Sequence, residues 1–155
     1  MDTNASRAVL TAGRLGFRVS RPTAALPTTG VTTSYFTITG GRVEVTLLIG
    51  EVTTVIEGSD PGISVTSRAT TGTAVVLNST VDISSLEAGG FIRVDGAGSA
   101  LVKSNAGAVL STTLSSGFVV PTGNIAVIAT TTKTGSVKWD LWYFPIDEGA
   151  TVTAA

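Results

Sequence analysis

From Ser34 onward, apolar and polar side chains alternate along the chain in short runs, the period-two pattern of half-buried β-strands. The first run, 34–39, ends at Gly40-Gly41, a dipeptide typical of two-residue hairpin turns. The next run, Arg42 to Ile49, places valine and leucine on one side and charged residues on the other. We predict a β-hairpin here, with a bend or bulge at Gly50.

Roughly nine to eleven such runs follow one another, with turn signals about every 8 to 12 residues. The last two, 124–132 and 137–144, are separated by a short link containing Gly135 and are predicted to pair as a second hairpin. Ser84 and Glu87 have the spacing of a helical capping box, which predicts one helical turn. The fold class predicted is all-β, an antiparallel sandwich, jelly roll or barrel-like body.

The first 33 residues differ from the rest. Residues 1–21 carry four arginines and one aspartate, a net charge of +3, so the overall charge of −1 leaves −4 on the remainder. Residues 21–30 contain two prolines and a glycine and indicate an extended linker. We predict a basic N-terminal arm and linker over 1–33 and one all-β domain over 34–155.

The arm arginines have three interpretations. The favoured one is an extended arm that pairs with carboxylates of a neighbouring subunit, and the others are a plain tail and a peptide that folds on nucleic acid. A continuous helix is disfavoured by Gly13, Gly16 and Pro22. The candidate partner-binding residues of the arm are Arg7, Arg14, Arg18 and Arg21.

The amino-acid composition argues against most kinds of catalytic and metal site. The chain has no histidine and no cysteine, so the commonest proton shuttle, thiol nucleophiles and thiolate metal sites are missing. Only 14% of residues are charged, against about 25% in ordinary soluble domains, and mean hydropathy is +0.41. No apolar run reaches the ~18 residues of a membrane span. We therefore expect a partner to cover apolar surface, with no cofactor, membrane or nucleic acid involved.

Two carboxylate pairs are the remaining candidates for catalysis. Glu51 and Glu57 are expected to share a strand face, and Asp147 and Glu148 are adjacent. A glycosidase needs two such groups at a fixed separation. Solvated surface acids are the simpler interpretation, so we predict that the chain is not an enzyme and keep a glycosidase as a third alternative.

The aromatic residues near the C-terminus are more informative. In Val137 to Phe144, one face of the predicted strand carries Val137, Trp139, Leu141 and Tyr143 and suits a core. The opposite face carries Trp142 and Phe144, which expose a large apolar area unless something covers them. We predict that these two residues form an oligomer contact, and burial within the same subunit is the alternative.

Three stretches, 40–56, 71–73 and 134–150, resemble segments of small structural proteins of tailed bacteriophages, most of all capsid decoration (cement) proteins. The resemblance implies a β-rich, homotrimeric module on the outer surface of the virion. It also implies that the module bridges neighbouring capsomers by binding the major capsid protein. No catalytic residues are implied. The alternative is a tail or head-fibre component that binds host carbohydrate.

Overall fold

The computed structural model describes residues 13, 15–57, 62–96, 98, 102–105, 117–132 and 134–155. Within this part the fold is all-β, as predicted. The strands are β1 (Phe17–Ala25), β2 (Thr32–Thr39), β3 (Val43–Thr54), β4 (Gly62–Ala69), β5 (Val75–Asp82), β6 (Phe91–Val94), β7 (Val102–Ser104), β8 (Phe118–Val120), β9 (Gly123–Ala129), β10 (Ser136–Pro145) and β11 (Thr151–Ala154). No helix in these ranges is long and apolar enough to cross a membrane.

The strands form two antiparallel sheets. Sheet A has six strands in the order β1-β10-β3-β6-β7, with β8 also paired to β3, and sheet B has five in the order β11-β2-β9-β4-β5. From β1 to β4, and again from β8 to β11, each successive strand lies in the opposite sheet. This alternation is the wrapped connectivity of a jelly-roll sandwich.

Both predicted hairpins are wrong, although the strands and turns themselves are present. β2 pairs with β9 and β11, whereas β3 pairs with β10, β6 and β8. Gly40 and Gly41 do take positive φ values, 77° and 148°. They carry the chain from one sheet to the other instead of folding it back on its neighbour. The same holds for the link between β9 and β10, which are interior strands of different sheets.

β3 continues through Gly50 where a bend was predicted, and the glycine instead packs against a core side chain. β3 continues through Gly50 to Thr54, and the two irregularities in its pairing with β10 lie at Thr46 and Thr53. A Cβ at Gly50 would lie 3.1 Å from the indole ring of Trp139. The glycine therefore provides space for the largest side chain of the core.

The boundary between arm and body differs from the prediction. Residues 17–25 form β1, which pairs with β10 along sheet A from Phe17 opposite Tyr143 to Ala25 opposite Ser136. The structure therefore places the start of the body before Phe17 and not after Thr33. The alternation of Phe17 and Val19 with polar residues is that of an edge strand.

The segment 84–87 is a turn, not a turn of helix. Asp82 accepts a hydrogen bond from the backbone N–H of Ser84 at 2.7 Å, and Ser85 has a φ of 61°. The aspartate side chain thus takes the capping role that the sequence assigned to Ser84.

The core lies between the two sheets. Its fully buried side chains come from both inner faces and include Trp139, Phe36, Ile38, Leu48, Ile56, Ile63, Ile83, Ile92, Ile125 and Leu141. The rings of Tyr35 in sheet B and Trp139 in sheet A meet edge to face, with centroids 5.7 Å apart.

Candidate interaction surface

β10 divides its side chains as the sequence predicted. Val137, Trp139, Leu141 and Tyr143 are buried in the core. Trp142 and Phe144 point to the opposite, outer face of sheet A and remain partly exposed. Register pairs Trp142 with Leu47 of β3 and Phe144 with Glu44, so the neighbouring strand adds its own outward residues to this face.

Apolar side chains continue across four strands of the outer face. Ile49 lies opposite Asp140 on β10, and Phe91 of β6 lies opposite Glu51. Val119 of β8 is 58% exposed beside Glu44. We call this set the apolar face, and it consists of Leu47, Ile49, Phe91, Val119, Trp142 and Phe144.

The outer face of sheet B is chemically different. Its outward positions on β2 and β11 are threonines, with Thr37 opposite Thr153 and Thr39 opposite Thr151. The hydroxyls of Thr39 and Thr151 lie 3.0 Å apart. Small hydroxylic side chains are readily hydrated, so this part of sheet B is suited to contact with water, whereas β5 at the other edge of the sheet exposes Val75 and Val76.

Arg18 is bound to its own subunit. It donates from Nε and Nη2 to Oδ1 of Asp140 at 3.0 and 2.8 Å, and the hydroxyl of Ser20 donates to the same oxygen. Lys138 approaches the other oxygen at 3.9 Å. The guanidinium also lies 5.3 Å from the centroid of the Trp142 ring. Arg18 therefore borders the apolar face as a fixed element of sheet A.

Arg21, on the edge strand β1, contacts Tyr35 of sheet B and the backbone of Ala155. Its guanidinium lies 4.1 Å from the centroid of the Tyr35 ring, and its Nε donates to the backbone carbonyl of Ala155 at 3.2 Å. Burial raises the pKa of Tyr35 to about 12, so the phenol beneath this cation stays neutral. Arg7 and Arg14 lie outside the described residues. Of the four predicted arm arginines, the two that the structure describes are both held by the body.

Two carboxylates on the outer face have no such partner. Glu44 and Glu51 lie on β3 at either end of the apolar positions Leu47 and Ile49. Neither forms a hydrogen bond or ion pair with another described residue. Sequence reasoning did not single out Glu44 and considered Glu51 only as a catalytic acid. Only the strand register shows that both carboxylates lie on the outer face beside the apolar residues, and the sequence pattern alone does not provide that register.

The chain enters β1 from this same face. The backbone carbonyl of Leu15 accepts a hydrogen bond from the hydroxyl of Thr46, on β3, two strands in from the edge. Gly16 follows with a φ of 87°, and a Cβ there would lie 2.1 Å from the carbonyl oxygen of Tyr143. Only glycine fits this turn. Residue 15 therefore lies across β10, beside the apolar face.

The carboxylate pairs suggested as catalysts are not brought together as such. Glu57 lies outside β3, so it does not share a strand with Glu51. Asp147 accepts three hydrogen bonds from Arg42: from the backbone N–H at 2.7 Å, Nε at 2.9 Å and Nη2 at 2.7 Å. These bonds lower the pKa of Asp147 to about 2. Across the described ranges, no three potential metal-ligating side chains converge.

The chain was compared with protein-family models, curated proteins and solved structures, and none of them matches it.

Proposed function

We propose that this protein is a capsid decoration protein that binds the outer surface of a tailed-bacteriophage head as a homotrimer and stabilises it. The observation that carries the proposal is the apolar face: six apolar side chains on the outside of one sheet, bordered by Arg18, Asp140 and Lys138. Val119 is exposed and the other five are partly exposed, and contiguous apolar patches on a protein surface mark interaction sites.

A protein fits this surface better than a small substrate. The face belongs to a sheet, and its aromatic side chains stand beside an arginine that is already oriented by Asp140. Aromatic residues and arginine are the side chains most enriched in protein interfaces and their energetic centres. The proposed major partners are a second copy of the chain and the major capsid protein.

Shell stabilisation requires many repeated contacts and no reactive group. Two ion pairs on the described part of the chain, Arg18 with Asp140 and Arg42 with Asp147, join one segment of the sandwich to another and so have a structural role. The resemblance of segments 40–56 and 134–150 to phage structural proteins supports the same assignment. The outward threonines of β2 and β11 in sheet B are then turned to solvent.

Cosedimentation with purified phage heads tests the proposal, combined with measurement of the mass in solution. We expect the full chain to pellet with heads at a fixed stoichiometry and to be trimeric when free. A variant lacking residues 1–14 is expected to lose head binding while its β-rich circular dichroism is retained. The deletion must stop before Gly16 because β1 is part of sheet A. A full chain that stays in the supernatant, or a truncated chain that binds equally well, contradicts the proposal.

The second candidate is a tail or head-fibre component that binds host carbohydrate. The partly exposed rings of Phe91, Trp142 and Phe144 favour it, because sugars stack on aromatic side chains. Arg18 already lies over Trp142, so a sugar would have to share or displace that contact. Binding on a glycan array that is lost in Trp142→Ala, together with no binding to heads, would select this candidate.

A further inference from the structure

The exposed apolar side chains of the sandwich are concentrated at one of its two ends. We call it the arm end: β1 begins there, β2, β4, β8 and β10 finish there, and β3, β5, β9 and β11 start there. The exposed large apolar residues described at this end are Phe17, Val75, Val76, Val119 and Ile146. Those at the opposite end are Val31 and Val55. The arm end is therefore the one suited to contact with a partner.

Phe17 and Ile146 lie at the corner of the arm end where β1 and β10 meet. Phe17 is the first residue of β1, and its ring lies 5.9 Å from that of Tyr143, yet it is 58% exposed. Ile146 follows β10, donates its backbone N–H to the carbonyl of Arg42 at 3.0 Å, and is 46% exposed. Both side chains extend into solvent from a fixed backbone, which reduces the entropy that binding would cost.

Val75 and Val76 lie at the other corner, at the tip of the hairpin formed by β4 and β5. Successive strand residues point to opposite faces, so the exposure of both valines shows that neither face of β5 is covered at its start. All residues from 70 to 76 are exposed and uncharged. Gly98 donates its N–H to the carbonyl of Leu77 at 2.9 Å and so occupies part of the strand edge. The tip is available through its side chains and not by addition of a strand.

The charges at the arm end do not oppose its burial. Arg42 and Asp147 pair with each other at 2.7 Å. Glu148, after β10, and Arg68, near the end of β4, are exposed and opposite in sign. These four charges cancel, and Glu44 belongs to the outer face of sheet A. A partner surface for this end is therefore expected to be apolar and low in net charge.

The path of the chain indicates which partner this is. Leu15 and Gly16 lead into β1 at the arm end, so residues 1–14, which the proposed function assigns to head binding, are attached there. Sheet A carries the proposed contact between subunits. A threefold axis that runs along the strands places three arm ends on the same side of the trimer, where one surface can contact all of them together.

We propose that the arm end is the surface that docks on the phage shell. Phe17 and Ile146 at one corner, and Val75 and Val76 at the other, contact apolar surface of the shell protein, and the opposite end of the sandwich points away from the shell. This inference rests on the proposed function and names the surface through which it acts.

Cosedimentation of full-length variants with purified heads tests the docking end. Two double variants change the arm end, and a matched one changes the opposite end: Phe17→Ser with Ile146→Ser, Val75→Ser with Val76→Ser, and the control Val31→Ser with Val55→Ser. We expect each arm-end variant to raise the dissociation constant for heads about tenfold or more, and the control less than about twofold. All three should keep the native circular dichroism and trimer mass, because the altered side chains are exposed. Equal binding by all three, or weaker binding by the control alone, overturns the proposal.

Photo-crosslinking gives a second readout that does not require a loss of affinity. A benzophenone amino acid at position 17 or 76 is expected to crosslink to the shell protein when decorated heads are irradiated. The same amino acid at position 31, at the opposite end, is expected not to. Crosslinks that join only copies of this chain would make the arm end a contact between subunits and would contradict docking on the shell.

Failure of the docking end and failure of the proposed function give different results. If the native chain does not pellet with heads, the decoration function is wrong and the docking end is wrong with it. If the native chain pellets and the arm-end variants bind as well as it does, the function stands and only the docking end is wrong. If those variants bind normally while the chain lacking residues 1–14 does not, the arm alone holds the protein on the shell.

Discussion

At the scale of single residues, Asp147 shows how a carboxylate that looked like a catalytic candidate contributes to structure. Its three hydrogen bonds from Arg42 join the segment after β10 to the start of β3. Gly41 allows the close approach, since a Cβ there would lie 2.5 Å from the Cβ of Asp147. The pair fixes the crossing between the two sheets at one end of the sandwich.

This arrangement predicts a pH dependence of stability. The pKa of Asp147 is about 2 when folded and about 3.9 in an unfolded chain, so the contribution is complete above about pH 4 and is lost as the pH falls towards 2. Asp147→Asn is expected to be less stable than the native chain at pH 6, with the difference shrinking below pH 4. Urea unfolding at each pH measures it.

Glu148→Gln is the matched control, because Glu148 is adjacent, exposed and unpaired with any described residue. It should unfold like the native chain throughout the range. A stability difference for Asp147→Asn that is the same at pH 2 and pH 6 would show that the ionised pair is not its cause.

At the scale of elements, β1 decides where the arm ends. It is an edge strand joined to sheet A through β10, and the Arg18 and Ser20 bonds to the nearly buried Asp140 reinforce that pairing. Asp140→Ala removes them and is expected to lower the free energy of unfolding by about 1–3 kcal/mol. Hydrogen exchange should show loss of protection concentrated in β1.

Glu57→Ala provides the comparison for β1, since Glu57 is exposed, lies outside the strands and has no partner in the described part of the chain. Its expected effect is within about 0.5 kcal/mol. Should Asp140→Ala and Glu57→Ala behave alike, backbone pairing alone would account for the attachment of β1.

The same strand illustrates what the sequence pattern can and cannot predict. Alternation of apolar and polar residues identified β2, β3 and β10 as strands. It did not identify the irregularity at Thr46, which turns Leu47 and Ile49 to the outer face while Val43 and Val45 stay in the core. β1 was assigned to the arm because its arginines and Pro22 resemble a linker, and an edge strand needs only a narrow apolar side. Its stabilising partner, Asp140, lies more than a hundred residues away, beyond any local pattern.

At the scale of the whole molecule, the prediction from local sequence patterns was wrong about which strands pair with each other. Gly40-Gly41 has the chemistry of a hairpin turn, yet β2 and β3 belong to different sheets. A tight turn fixes the change in direction but not which strands become neighbours, because that depends on burial over the entire sandwich. The candidate residues Trp142 and Phe144 were predictable from alternation, whereas Leu47, Phe91 and Val119 required the register.

The apolar face of sheet A and the outward threonines of β2 and β11 differ in chemistry, and this difference leads to a prediction about assembly. Trp142→Ser combined with Phe144→Ser should reduce the mass in solution to that of one 15.7 kDa chain. Central aromatic contacts are commonly worth about 2 kcal/mol or more, roughly 30-fold in dissociation constant. Unfolding free energy should change little, because both side chains lie outside the core. Analytical ultracentrifugation over a concentration series measures the assembly.

Thr151→Arg is the control on the opposite face, where a large charged side chain is expected to leave the assembly unchanged. The most informative result is one in which only one of the two variants dissociates the protein. If Thr151→Arg dissociates the protein and the double serine variant does not, the subunits meet through sheet B, and the apolar face of sheet A is left for the arm or the shell. If neither variant changes the mass, the contact lies on the edges of the sandwich, and Trp142 and Phe144 are not the oligomer contact.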